Sequence, residues 1–136
     1  MIGYFPTELT QIAYLQYISF DSNRIGGVLP STLGHLSHLK FLDLDNNEVG
    51  GTLPDSLWDI AGLERLDINS NKFSGTLSSR IGQLENLTNA QLQDNFFFGE
   101  LPSELGNLYK LSECYDGSCF AFEDIHYNLI VIDWQN

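Results

Sequence analysis

Residues 39–62 read LKFLDLDNNEVGGTLPDSLWDIAG, and each part of that stretch has a physical role. From Lys40 to Leu44 outward and inward side chains alternate, the pattern of a short strand. Asn47 follows. Its carboxamide carries donors and an acceptor, enough to satisfy backbone groups laid bare where the chain turns inward. Gly51 permits backbone angles that a side chain would forbid. Leu53-Pro54 extends the chain, because proline restricts the residue before it. Ser56 to Ile60 then reads as a helical turn returning on the far side.

The same order recurs on both sides of this stretch at a spacing of 24 residues. Pro6, Pro30, Pro54 and Pro102 keep it, with Ser78 on the missing beat. Gly27, Gly51, Gly75 and Gly99 keep it, and so do Asn23, Asn47, Asn71 and Asn95. Apolar columns agree: Leu15, Leu39, Leu63, Leu87 and Leu111; Ile18, Leu42, Leu66, Ala90 and Cys114; Phe20, Leu44, Ile68 and Leu92; Leu29, Leu53, Leu77 and Leu101. A fixed period in the twenties means a solenoid, in which stacked coils bury together what no single coil could bury alone. The strands of such a stack run parallel, about 4.8 Å apart.

The pattern LxxLxxLxLxxNxxxGxLPxxLGxL resembles the plant-type leucine-rich repeat over residues 6–114, most cleanly at Leu36, Leu39, Leu42, Leu44, Asn47, Gly51, Leu53, Pro54 and Leu57. Two places depart from it: Ser78 replaces the proline, and Trp58 stands where Gly34, Gly82 and Gly106 stand elsewhere. The LPSELGNL wording and the cysteine-bearing last repeat also resemble repeat proteins of diatoms and related algae. The resemblance implies an α/β solenoid, a right-handed coil with a concave parallel β-sheet and short helical or 3-10 turns on its convex side. It implies recognition of a protein, peptide or glycan rather than catalysis. Residues 1–119 are read as the solenoid of about five coils, and residues 120–136 as a C-terminal tail that caps it. The cysteine-paired N-terminal cap usual in extracellular members is missing, so an N-terminally truncated chain is expected.

The chain has 18 acidic and 6 basic side chains, a formal net charge of −12. That field repels polyanions, which argues against nucleic acid and anionic membranes and favours a basic partner or a cation. Acidity that serves solubility alone is the other reading. No stretch approaches the ~20 apolar residues of a membrane span. The opening MIGYFPTELTQ lacks the basic and apolar regions of a secretory signal, although the resemblance implies an extracellular or cell-surface setting.

Side chains flanking the inward residues of each strand face the concave surface. They are Tyr17, Ser19 and Asp21 in the first coil, then Phe41, Asp43 and Asp45. Arg65, Asp67 and Asn69 follow, and Asn89, Gln91 and Gln93 complete the set. Asp43 and Asp67 are then one strand apart, and like charges at that distance repel. A face that holds a basic side chain or a cation tolerates this, and so does a solvated face with no ligand. Calcium has no EF-hand-like spacing to support it, and neither a metal nor a cofactor is assigned. Tyr17, Phe41 and Arg65 share one column, and aromatic residues and arginine are enriched at binding hot spots, although cross-strand packing explains them equally.

Phe96 and Phe98 fall where other coils carry polar or small residues, while Phe97 joins the buried column of Ile25, Val49 and Phe73. The pair reads either as a contact patch or as rings shielded by the tail, which carries Ile130, Val131, Ile132 and Trp134. Cys114 and Cys119 read as two structural thiols or as a disulfide closing the last coil, with Asp116-Gly117 allowing the turn. Asn86-Leu87-Thr88 is a glycosylation sequon that matters only in a secreted protein. His35 and His38 read as surface histidines, since nothing beside them completes a metal site. The function expected is a recognition module binding a protein or peptide on its concave face, within a receptor-like cell-surface protein. The alternative is a glycan binder or a protein inhibitor of a secreted glycan-degrading enzyme.

Overall fold

The structure, a computed structural model, describes residues 3–113, 120–123 and 129–131. Each coil carries two short strands and one 3-10 turn, and no described element is an α-helix. The strands in chain order are β1 (Gly3–Tyr4), β2 (Tyr17–Ser19), β3 (Ile25–Val28), β4 (Phe41–Asp43) and β5 (Glu48–Gly51). Then come β6 (Arg65–Asp67), β7 (Lys72–Gly75), β8 (Asn89–Gln91), β9 (Phe96–Phe97), β10 (Phe120–Glu123) and β11 (Leu129–Val131).

The even-numbered strands up to β8 stack in parallel as the concave sheet. Ile18, Leu42, Leu66 and Ala90 are cross-strand partners in one row. All four are buried, as are Leu39, Leu63, Leu87 and Leu111 behind them. Removing each leucine from water stabilises the fold by roughly 1.5–3 kcal/mol, which is why the short strands need the whole stack.

A second sheet, β1-β3-β5-β7-β9, runs beside the first. The sequence reading placed no strand there, because Ile25-Gly-Gly-Val28 and Glu48-Val-Gly-Gly51 are each half glycine, a residue depleted in strands. These segments become strands because the neighbouring coils supply hydrogen-bond partners in register, Gly27 beside Val49 and Gly51 beside Phe73. Gly51 closes β5 with φ +75°, and a Cβ there would lie 2.8 Å from Val28 Cγ1. Only glycine fits both the angle and the approach.

The 24-residue spacing fails after the fourth coil. The strand beside β8 is β10, with Phe120 rather than residue 114 opposite Ala90. Cys114, which the 24-residue column assigned to this row, lies outside the described residues. Residues 119 and 123 offer neither the asparagine nor the glycine that keeps the spacing earlier. β11 then pairs with β10 in antiparallel fashion, Phe122 opposite Ile130, and closes this end of the parallel ladder.

Candidate functional site

Three outward columns of the concave sheet define the candidate site. In the first, Tyr17, Phe41, Arg65 and Asn89 are direct cross-strand partners. The Tyr17 and Phe41 rings stack with centroids 4.8 Å apart and planes 16° apart. Tyr17 remains 61% exposed. In the second column Ser19, Asp43, Asp67 and Gln91 are partners. Asp21, Asp45, Asn69 and Gln93 continue each coil just beyond its strand.

The columns change character halfway along. Asp67 is buried, with 7% exposure, and takes donors from its own neighbours: Arg65 Nη2 at 3.0 Å and Asn69 Nδ2 at 2.6 Å. This internal pairing relieves the expected repulsion between Asp43 and Asp67, and it occupies the single arginine of the face. The spacing put Arg65, Asp67 and Asn69 on one face, since residues two apart on one strand share a face, but it did not select this pairing. Gln93 Nε2 likewise donates to Gln91 Oε1 at 3.1 Å.

In the first two coils the carboxylates are less well served. The Ser19 hydroxyl donates to Asp21 at 3.0 Å, and the Asp45 backbone N–H donates to Asp43 Oδ1 at 3.2 Å. Asp45 Oδ1, Asn89 Oδ1 and Gln93 Oε1 are buried acceptors without a hydrogen-bond partner among the described residues. Burial pushes the Asp43 carboxyl above the usual range, partly offset by that N–H and reinforced by Asp67 and Asp21. Burial also raises Asp45, with Asp67 and Asp43 adding repulsion. An acceptor left unmatched costs about 1–3 kcal/mol; in the first two coils that atom is Asp45 Oδ1, and the other two lie in the fourth coil.

The asparagines sit between the two sheets. Asn47 Nδ2 donates to the carbonyls of Phe20 (2.8 Å), Leu44 (3.0 Å) and Asp45 (3.0 Å), while its Oδ1 accepts the Ile25 N–H at 2.9 Å. Asn71 and Asn95 repeat the arrangement one coil on at a time. Asn23 is exposed and donates only to Phe20 and Asp21 of its own coil. The residue before each of these asparagines has positive φ: Ser22, Asn46, Ser70 and Asp94, between 52° and 55°.

Other singled-out residues fall elsewhere. Phe97 is buried and stacks on Phe73, whereas Phe96 and Phe98 are 66% and 50% exposed. The described tail strands belong to the concave sheet rather than to the sheet of β9, and Ile132 and Trp134, expected over the two rings, lie outside the described residues. Asn86 spans two coils, donating to the Ala61 carbonyl at 2.9 Å and accepting from Lys110 Nζ at 2.6 Å. His38 Nδ1 lies 2.9 Å from the Ala13 carbonyl, and its ring packs against Tyr14. Cys114, Cys119 and Trp134 lie outside the described residues. Among the described residues no group of three or more His, Cys, Asp or Glu is arranged to hold a metal ion. No described helix is long and apolar enough to cross a membrane.

Fold and face together define a leucine-rich solenoid with a patterned concave sheet. A family model described as Leucine rich repeat matches residues 13–73. Among solved structures, the chain is similar to the plant peptide hormone receptor RGFR1 in complex with RGF2, with 31% identity and a TM-score of 0.79 over 81% of this chain and 18% of that one. It is similar to the BIR3–SERK2 complex from Arabidopsis thaliana, with 32% identity and a TM-score of 0.73 over 76% of this chain and 56% of that one. It is also similar to a plant ice-binding protein, with 29% identity and a TM-score of 0.75 over 79% of this chain and 35% of that one. No curated protein sequence matches it. Residues 13–73 are leucine-rich repeats, and the chain has the fold of plant leucine-rich-repeat structures, a scaffold that is in general a binding module. The chain spans between 18% and 56% of the length of these three structures. A peptide hormone receptor and an ice-binding protein on one scaffold show that the fold alone does not name a ligand.

Proposed function

We propose that the chain is a recognition module, part of a receptor-like cell-surface protein, whose concave face takes an extended basic segment of a protein or peptide partner. The observation that carries this reading is the one-signed charge of the open half of the face. Asp21, Asp43 and Asp45 stand there with no basic side chain bonded to them, while Arg65 is turned to Asp67. A partner bringing ammonium, guanidinium or backbone N–H groups supplies the donors this surface lacks. The plant peptide hormone receptor complex among the similar structures supports a peptide as the class of partner.

The test is a titration with two synthetic ten-residue peptides of the same length, one basic and one acidic, at two salt concentrations. The basic peptide should bind, weaken as salt rises, and weaken further in Asp43→Asn/Asp45→Asn. Equal binding of both peptides, or affinity indifferent to salt, overturns the reading. A second reading draws on the Tyr17–Phe41 stack: a glycan, or a secreted glycan-degrading enzyme that the chain inhibits. Glycan binding through those rings should ignore salt and be lost in Tyr17→Leu.

A further inference from the structure

We infer that the concave face is directional: its first two coils read the guanidinium of a partner arginine, and its third and fourth coils offer the partner only neutral amide contacts. This inference rests on the concave face being the binding face. Two side-by-side features of the same two strands carry it. One is the stacked pair of Tyr17 and Phe41, open to solvent at Tyr17. The other is the adjacent carboxylate side, Asp43 two residues beyond Phe41 on β4, with Asp45 and Asp21 beyond it.

Residues two apart on a strand are about 7 Å apart, a separation covered by a planar guanidinium lying on a ring together with a hydrogen bond of about 2.9 Å from its N–H edge to a carboxylate. An arginine uses both features at once, because it stacks and donates in one plane. A lysine ammonium uses the carboxylates and gains less from the rings, being compact and strongly hydrated. The charge is complementary as well: the carboxylates of these coils receive a hydroxyl and backbone N–H groups but no side-chain cation. The raised titration of Asp43 and Asp45 fits the same picture, since an added cation restores what burial takes from their anions.

The far half of the face has its one carboxylate, Asp67, already paired with its one cation, Arg65. Arg65 and Asn69 both serve Asp67, and Gln93 serves Gln91. What remains there is amide chemistry, with Asn89 Oδ1 and Gln93 Oε1 unmatched among the described residues. A neutral peptide backbone suits it better than a second positive charge.

The experiment is an NMR titration of the full chain with N-acetyl-arginine-N-methylamide and, separately, its lysine analogue. The arginine probe should shift Tyr17, Phe41, Asp43 and Asp45 resonances and bind about fivefold tighter than lysine, the ratio a modest cation–π contribution gives. Tyr17→Leu alters an exposed ring and leaves the core intact, so it should fold normally and erase the preference for arginine while keeping lysine binding. Asp43→Asn should weaken both probes. Shifts centred on Asn89 to Gln93, equal binding of both probes, or an arginine preference that survives Tyr17→Leu overturns the inference. The basic ten-residue peptide separates the two readings. If it binds the concave face equally well in Tyr17→Leu, arginine recognition falls and the concave-face reading stands. If the arginine probe binds these coils but the peptide maps to another surface, the concave-face reading falls alone.

Discussion

The two sheets share one period, but their outward columns do not share one logic. Across the second sheet the column of Arg24, Glu48 and Lys72 does a single job, with Lys72 Nζ 2.9 Å and Arg24 Nε 3.8 Å from the Glu48 carboxylate. Lys72 lowers the Glu48 titration below the ordinary carboxylate range. Beside it, Gly51, Gly75 and Gly99 each lie under a side chain of the preceding coil, Val28, Thr52 or Thr76. The concave columns instead change chemistry along the stack, from the aromatic Tyr17 and Phe41 to Arg65 and Asn89. A coil position that repeats its job holds the stack together. A position that varies from coil to coil is free to serve a ligand.

Five substitutions break or sharpen that contrast. Leu66 lies under the concave sheet at the centre of the core. Leu66→Ala should cost about 2–5 kcal/mol and weaken both sheets together, read as a lower urea midpoint. An unfolding curve in which the second sheet outlasts the first would show that the two do not share a core. Asn71→Ala should cost about 1–3 kcal/mol, because four bonds join the two sheets through that carboxamide. Hydrogen exchange at the Val49 N–H should quicken with it, whereas Asn23→Ala should move stability much less. Gly51→Ala is a test of the second sheet alone: positive φ and the approach of Val28 should cost about 1–3 kcal/mol, with the basic peptide still bound. Loss of that binding would link the sheets more tightly than the contrast allows.

The smallest effect belongs to the variable face. Asp43 and Asp45 hold their protons more tightly when folded than when unfolded, so ionising them opposes folding. Their contribution is full in acid and falls away as pH climbs from the ordinary carboxylate range through the raised folded one. Asp45→Asn should therefore raise the melting temperature at neutral pH by an amount worth about 0.5 kcal/mol, typical of a surface change, with no gain in acid. A loss of stability at neutral pH would mean that the carboxylate holds the coil together and is not kept for a partner.

The period made the concave sheet legible, because Leu42, Leu66 and Asn47 recur with one spacing and each has one physical use. The second sheet was hidden, since Ile25-Gly-Gly-Val28 becomes extended only through neighbours that no local propensity describes. Placement of the outward residues followed from alternation, but their internal bonds did not. Nothing in the spacing says that Arg65 turns to Asp67 when Phe41 is also a neighbour. At the far end the repeat residues ran out after Leu111, and with them any basis for placing Phe120 beside Ala90.

The asparagine bonds have a direction. Asn47 reaches back to Phe20 and Ile25, Asn71 to Leu44 and Val49, and Asn95 to Ile68 and Phe73, so each carboxamide completes the coil before its own. Trimming a coil from the late side strands an amide and a carbonyl deep in its neighbour. Trimming one from the early side leaves only a wet surface asparagine, the condition Asn23 already tolerates. The stack is thus easier to shorten from its first coil than from its last, and thermal fraying should travel inward from the first coil.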